Sequence, residues 1–168
     1  MNDHLTDSLI SIRPLTPSEL PLAHTWNEAN TPHVNHLDFS AFKDVYALST
    51  QAYLILCDEI PAGFAWLMGP QNTYKSTNYR YFASHMTDFL YLDRMVVSNL
   101  YRGKGLATSL YHHIASLNPG TVICCEVNIE PPNIASTRLH QKIGFKEVGQ
   151  QSTEGGRKKV SLLVWDPK

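Results

Sequence analysis

The sequence predicts an α/β domain, in the α+β sense of a mixed, mostly antiparallel central sheet of about seven strands flanked by about four helices. Three observations predict it. Runs rich in aliphatic and aromatic residues at 9–13, 52–57, 61–68, 89–97, 121–128, 145–151 and 157–165 read as strands. Segments with apolar residues three and four apart read as the helices between them. The order, one strand, two helices, three strands in antiparallel style and then β-α-β-α-β-β, gives a mixed sheet with helices on its faces.

Thr16-Pro-Ser-Glu19 has the spacing of a capping box with an early proline, so a helix starts there and runs to about residue 29. The proline-containing stretch 30–36 breaks it, and 39–48 forms a second helix. Asp58-Glu59 separates strands 52–57 and 61–68 as a hairpin. Residues 69–87 are polar, aromatic-rich and without clear period, which predicts a long loop with a short helix at 79–82; long loops in compact domains are often functional. In the strand 89–97 the two-residue period puts residues 89, 91, 93, 95 and 97 on one face. Leu106, Leu110, Ile114 and Leu117 mark one apolar face of a helix that stops at Asn118-Pro119-Gly120. A strand 121–128, a helix 134–142 and a hairpin across Glu154-Gly155-Gly156 complete the chain.

At 168 residues the length suits one domain with a substantial core. A hydrophobic content of 43% and a charged content of 17% suit a soluble protein, and no run approaches the roughly 20 apolar residues of a membrane span. Met1-Asn2-Asp3-His4 lacks the basic and apolar regions of a signal peptide, so the expected location is the cytoplasm, with no membrane association. The formal net charge is −1 and the Lys and Arg residues are dispersed apart from Arg157-Lys158-Lys159, which argues against nucleic acid as a partner. Cys57, Cys124 and Cys125 form no disulfide framework or zinc spacing and read as core. Among the eight histidines, His112 and His113 are adjacent and cannot share a helix face, so no metal is expected.

The most informative stretch is 93–108, which runs from a strand through a glycine turn into a helix. Gly103 and Gly105 let backbone approach a ligand without a Cβ, and the helix beyond points unpaired N–H groups and its positive dipole end at any anion there. Arg102 and Lys104 add charge at the same spot. A Walker loop needs four residues between its first glycine and Gly-Lys-Ser/Thr, which is not the spacing here. A dinucleotide fingerprint wants a third small residue where Thr108 stands.

The segments 96–107 and 133–145, with Asn133, Ser136, Leu139, His140, Lys142, Gly144 and Phe145 in the second, resemble the two core motifs of the GNAT acyl-CoA-dependent N-acetyltransferases. The resemblance covers residues 88–148 directly, and the preceding order of elements agrees with that family's fold. It implies acetyl-CoA held between the strands ending at Val97 and Asn128, which splay apart in this family. Backbone groups of Met95, Val96 and Val97 would pair with the pantetheine arm and the thioester. Amides of Arg102, Gly103, Lys104, Gly105, Leu106, Ala107 and Thr108 would hold the pyrophosphate, with Asn133 and Ser136 at the start of the second helix.

The resemblance also implies transfer of acetyl to a primary amine of a small molecule or peptide by direct attack in a ternary complex, without metal. The amine's proton needs an acceptor. Glu126 is the first candidate because it resembles the base in the Glu-Val segment of ribosomal-protein alanine N-acetyltransferases. Asp93 is the second, since a carboxylate in an apolar strand needs a partner or a task, and Arg94, on the opposite face, is not that partner. His140 stands where the family often has a tyrosine acid and can donate a proton in the right tautomer. Its departure from the pattern keeps a second reading open, an acyl-CoA-binding regulatory module without chemistry. Acceptor recognition is assigned to Asn30, His33, Tyr79, Arg80, Tyr81 and Phe82, where aromatics and one arginine suit an apolar substrate bearing a carboxylate. The strand-rich C-terminus suits pairing in a homodimer.

Overall fold

A computed structural model describes residues 8–168 of the chain; the expectation made for the extreme N-terminus lies outside them. The sheet has seven strands, β1 (Ile10–Pro14), β2 (Gln51–Cys57), β3 (Ile60–Met68), β4 (Phe89–Val97), β5 (Val122–Glu130), β6 (Lys146–Thr153) and β7 (Lys158–Trp165). Their order in space is β1-β2-β3-β4-β5-β7-β6, and every neighbouring pair is antiparallel except β4 with β5. Five α-helices cover it: α1 (Leu20–Glu28), α2 (Phe39–Leu48), α3 (Thr77–His85), α4 (Leu106–Leu117) and α5 (Ile134–Ile143). The fifth is α3, a full nine-residue helix where the sequence suggested a four-residue one; the Ser76 hydroxyl caps it by accepting from the Tyr79 amide.

Two apolar layers sandwich the sheet. Phe64, Trp66, Met68, Phe89 and Tyr91 meet α1, α2 and α3 through Ala23, Phe42, Tyr79 and Phe82. On the other face Ala65, Leu67, Leu90, Leu92 and Ile123 meet α4. In α4, Leu106, Leu110 and Ile114 are buried as the spacing required, each stabilising by about 1.5–3 kcal/mol. Leu117 is not: it is 58% exposed, and Tyr111 fills the remaining place on the buried face. At the last residue of the helix, directly before the stop signal, the leucine turns toward solvent. All three cysteines are free and buried.

One local irregularity changes the faces of β4. Leu92 pairs with Leu67 and Arg94 with Trp66, so Asp93 is an extra residue with no partner, a β-bulge. The alternation inverts there. Phe89, Tyr91, Arg94 and Val96 lie on the α1–α3 side, while Leu90, Leu92, Met95 and Val97 lie on the α4 side. The expectation that residues 89, 91, 93, 95 and 97 share a face is corrected accordingly.

Candidate active site

β4 and β5 are hydrogen-bonded only from Phe89 to Tyr91 against Val122 to Cys124. Both strands continue well beyond that ladder, and a cavity of about 860 Å³ opens between them, walled by β4 from Leu92 to Val97 and by β5 from Cys125 to Asn128. The splay leaves the β4 backbone facing β5 without strand partners at Met95, Val96 and Val97. Open backbone groups in a concave site are what an extended polar arm can pair with.

At one end of the cavity lie Arg102, Gly103, Gly105, Leu106, Ala107 and Thr108. Gly103 and Gly105 have φ of +77° and +84°, and nothing lies within 4 Å of where a Cβ would stand on either. Gly105 is the N-cap of α4, so the amides of Leu106, Ala107 and Thr108 have no acceptor inside the helix and point into the cavity end. Lys104 does not line it; its ammonium lies 5.7 Å from the Tyr101 ring centre, on the exposed side of the turn. Arg138 and Lys142, four apart on α5, also line the cavity and add positive charge; Lys142 belongs to the second motif, while nothing in the sequence pointed to Arg138. Asn133 caps α5 by accepting from the Ser136 amide at 3.1 Å, and both residues line the cavity.

Glu126 sits on the α1–α3 side of β5 in the cavity wall. Its Oε2 is buried without a hydrogen-bond partner, and so is the Tyr91 hydroxyl. Burial pushes the Glu126 carboxyl up to about 7 and the charge of Asp93 adds to this, while the nearby Tyr91 and Asn78 side chains work the other way. A carboxylate held near neutrality suits proton transfer at physiological pH.

Asp93 has partners instead of a free oxygen. Trp66 Nε1 donates to Oδ2 at 2.9 Å, the Tyr74 hydroxyl donates to Oδ1 at 2.7 Å, and Arg94 Nε lies 3.7 Å from Oδ2. The bulge brings Arg94 round to Asp93, which corrects the expectation that adjacent residues of one strand face apart. Asp93 is thus held as a structural anchor for Trp66 and Tyr74.

His140 is buried at 3% exposure. Its Nδ1 lies 2.6 Å from the Ser136 carbonyl, which requires Nδ1–H, and Nε2 lies 2.7 Å from the Tyr111 hydroxyl, which then donates to it. Burial lowers its pKa, so the ring is neutral with both nitrogens engaged. It has no spare N–H for a leaving thiolate, and the acid role given to it by position is withdrawn.

Among the six residues expected to meet the acceptor, Asn30 and His33 line the cavity. Asn30 is also a tether: it donates to the Trp26 carbonyl at 2.7 Å and accepts from the Arg102 guanidinium, tying the end of α1 to the glycine turn. The other four do not line it. Tyr79 and Phe82 are core, Tyr79 packing on Phe89 and Tyr91 and donating to the Gly69 carbonyl at 2.9 Å. Tyr81 packs on β6 and donates to the Val148 carbonyl at 3.1 Å, and Arg80 is exposed outside the cavity. The helical period explains this, since α3 turns residues 79 and 82 to the sheet and leaves Asn78 toward the cavity. Tyr74 and Asn78 take the place assigned to their neighbours. Nothing in the loop's composition singled them out. Among the described residues no cluster of three His, Cys, Asp or Glu is placed to hold a metal.

An open sheet with a cation-lined glycine turn at a splayed parallel pair defines a protein that binds an anionic carrier of an extended arm. The acetyltransferase (GNAT) family model matches residues 19–145, and the chain belongs to that family, whose acyl donor is acetyl-CoA. No curated protein matches it significantly in sequence. The fold is similar to that of the ribosomal-protein-S18-alanine N-acetyltransferase from Escherichia coli, with 18% identity, 94% of each chain covered and a TM-score of 0.69. It is also similar to Arabidopsis thaliana NAA60 in complex with acetyl-CoA, with 17% identity, 94% of this chain and 98% of that one covered and a TM-score of 0.72. A third is yncA, a putative acetyltransferase from Salmonella typhimurium with its cofactor acetyl-CoA, at 17% identity, coverage of 94% and 93%, and a TM-score of 0.64. The residues of this chain fit acetyl-CoA: left-handed glycines with open space and free helix amides at one end, the cations Arg102, Arg138 and Lys142 in the cavity lining, and an unpaired strand edge.

Proposed function

We propose that the chain transfers an acetyl group from acetyl-CoA directly to a primary amine of a small molecule or peptide, with Glu126 as the base. The observation that carries this is the unpartnered Glu126 oxygen in the cavity wall beyond the last β4–β5 pair, on a carboxyl raised to about 7. When bound, acetyl-CoA would supply the thioester carbonyl that the amine attacks, and CoA would depart as a thiolate that takes its proton from solvent. Amides of Leu106, Ala107 and Thr108 and the side chains of Arg102, Arg138 and Lys142 hold the phosphates, and the edge of β4 at Met95, Val96 and Val97 holds the arm. Glu126, in its ionised form, takes the proton that the amine loses on acylation. The buried Tyr91 hydroxyl and the Asn78 amide steady that charge without neutralising it. The neutral, doubly bonded His140 packs the α4–α5 contact behind the arm.

The experiment is thiol release from acetyl-CoA over a panel of amines, with acetyl-CoA binding followed by calorimetry. Turnover that collapses in Glu126→Gln while acetyl-CoA still binds supports the reading. Acetyl-CoA binding with no turnover on any amine supports the non-catalytic acyl-CoA-binding module instead.

A further inference from the structure

The bulge at Asp93 has a second effect. Counting from the last ladder pair, Tyr91 with Cys124, Glu126 is two steps along β5. With Asp93 looped out, Arg94 is two ladder steps along β4 and lies on the same face, as its pairing with Trp66 requires. Without the extra residue, Asp93 would occupy that step. The bulge therefore sets a guanidinium across the splayed gap from the candidate base, and both side chains line the cavity.

Arg94 is 6% exposed and tightly held on one edge only. Nη1 donates to Asn27 Oδ1 at 2.6 Å and to the Asn35 carbonyl at 3.3 Å. Nε is buried with no hydrogen-bond partner, and among the described residues Nη2 has none either. Nε faces the Asp93 carboxylate, so Nη2 is the guanidinium donor left open to an oxygen acceptor. Its charge is already matched by Asp93 at 3.7 Å. A second carboxylate there would be repelled by Asp93 and Glu126, whereas a neutral carbonyl oxygen satisfies the donor with no such cost.

We propose that Arg94 is a specificity-determining residue that binds an uncharged carbonyl oxygen next to the reactive amine, so that the acceptor is an α-aminoacyl amide. This rests on the acetyltransferase reading with Glu126 as base, since it places the amine at Glu126 and the neighbouring carbonyl at Arg94. Either a small amino-acid amide or the N-terminus of a peptide carries this chemistry.

The test compares kcat/KM for alaninamide, alanine, a short peptide with N-terminal alanine, and a fluorinated alkylamine of the same size and basicity as alaninamide but without a carbonyl. In the wild-type protein alaninamide exceeds the fluorinated amine by about 10- to 100-fold, the factor a hydrogen bond from a charged donor carries. In Arg94→Lys, which keeps charge and reach but loses the planar guanidinium, that ratio falls toward one. A general loss of structure lowers both rates and leaves the ratio alone, so an unchanged ratio overturns the inference. So does a wild-type ratio near one, which needs no variant to observe, or a preference for alanine over its amide. Comparable rates for the peptide and alaninamide point to small amides as sufficient, and a large peptide advantage points to a polypeptide N-terminus; both support the carbonyl site. If no amine is acetylated although acetyl-CoA binds, the enzymatic reading fails and takes this inference with it. If the fluorinated amine is acetylated as well as the amide, this inference alone fails.

Discussion

Replacing Glu126 by Gln separates what the carboxylate does for chemistry from what it costs the fold. In the folded protein its carboxyl is raised from the ordinary 4.5 to about 7, chiefly by burial. A raised carboxyl binds its proton more tightly folded than unfolded, so stability falls as pH rises from 4.5 to 7 and stays reduced above. The rise corresponds to about 3 kcal/mol as an upper figure. Glutamine keeps the shape without the charge. Glu126→Gln is therefore expected to melt about 5–10 °C higher than wild type at pH 8 and at nearly the same temperature at pH 4. Activity moves the other way, with kcat falling about 100- to 10,000-fold for the loss of a general base. The pH profile adds a third reading. Below pH 7 both the amine and Glu126 must lose a proton, so log kcat/KM rises with a slope of two, easing to one above pH 7; in the variant the slope is one throughout. Thiol release against pH, with melting curves at pH 4 and 8, measures all three. A variant that keeps more than a tenth of the wild-type kcat, with the steep acid limb intact, refutes Glu126 as the base.

Other residues give sharper contrasts. Asp93→Asn weakens the anchor for Trp66 and Tyr74 and is expected to cost about 1–3 kcal/mol in denaturant unfolding. Because the Asp93 charge raises Glu126, the same variant moves the acid limb of the pH profile to lower pH with its slope of two intact, whereas loss of the base flattens that limb. His140→Gln should lower the melting temperature through its Ser136 and Tyr111 contacts while reducing kcat less than tenfold; a drop of 100-fold restores His140 as an acid. The pair Gly103→Glu and Gly105→Glu puts side chains and negative charge into the anion end and forces L residues to φ near +80°. Calorimetry is expected to show acetyl-CoA affinity reduced more than tenfold.

The sequence by itself determined the seven strands and the placing of the glycine turn before α4. Those depend on local matters, a two-residue or 3.6-residue period and a glycine's access to left-handed φ, and each is written within about ten residues. Gly103, Gly105 and Asn133 were legible for the same reason, since a turn and a helix cap are local signals, whereas Glu126 was reached through the family resemblance of its Glu-Val segment. The faces of β4 were not. A bulge exists only relative to the partner strand, here at Trp66 and Leu67 some 27 residues earlier in the chain, and one unpaired residue inverts every side chain after it. That is why Asp93 read as a lone carboxylate when it is bonded, and Arg94 read as facing away when it stands across from Glu126. The acceptor wall followed the same rule: the choice of Tyr74 and Asn78 over Tyr79 and Phe82 depends on how α3 docks on Phe89 and Tyr91, and the His140 tautomer depends on a carbonyl and a hydroxyl from two helices. Local pattern places backbone, and only packing decides which side chains are left with unspent chemistry.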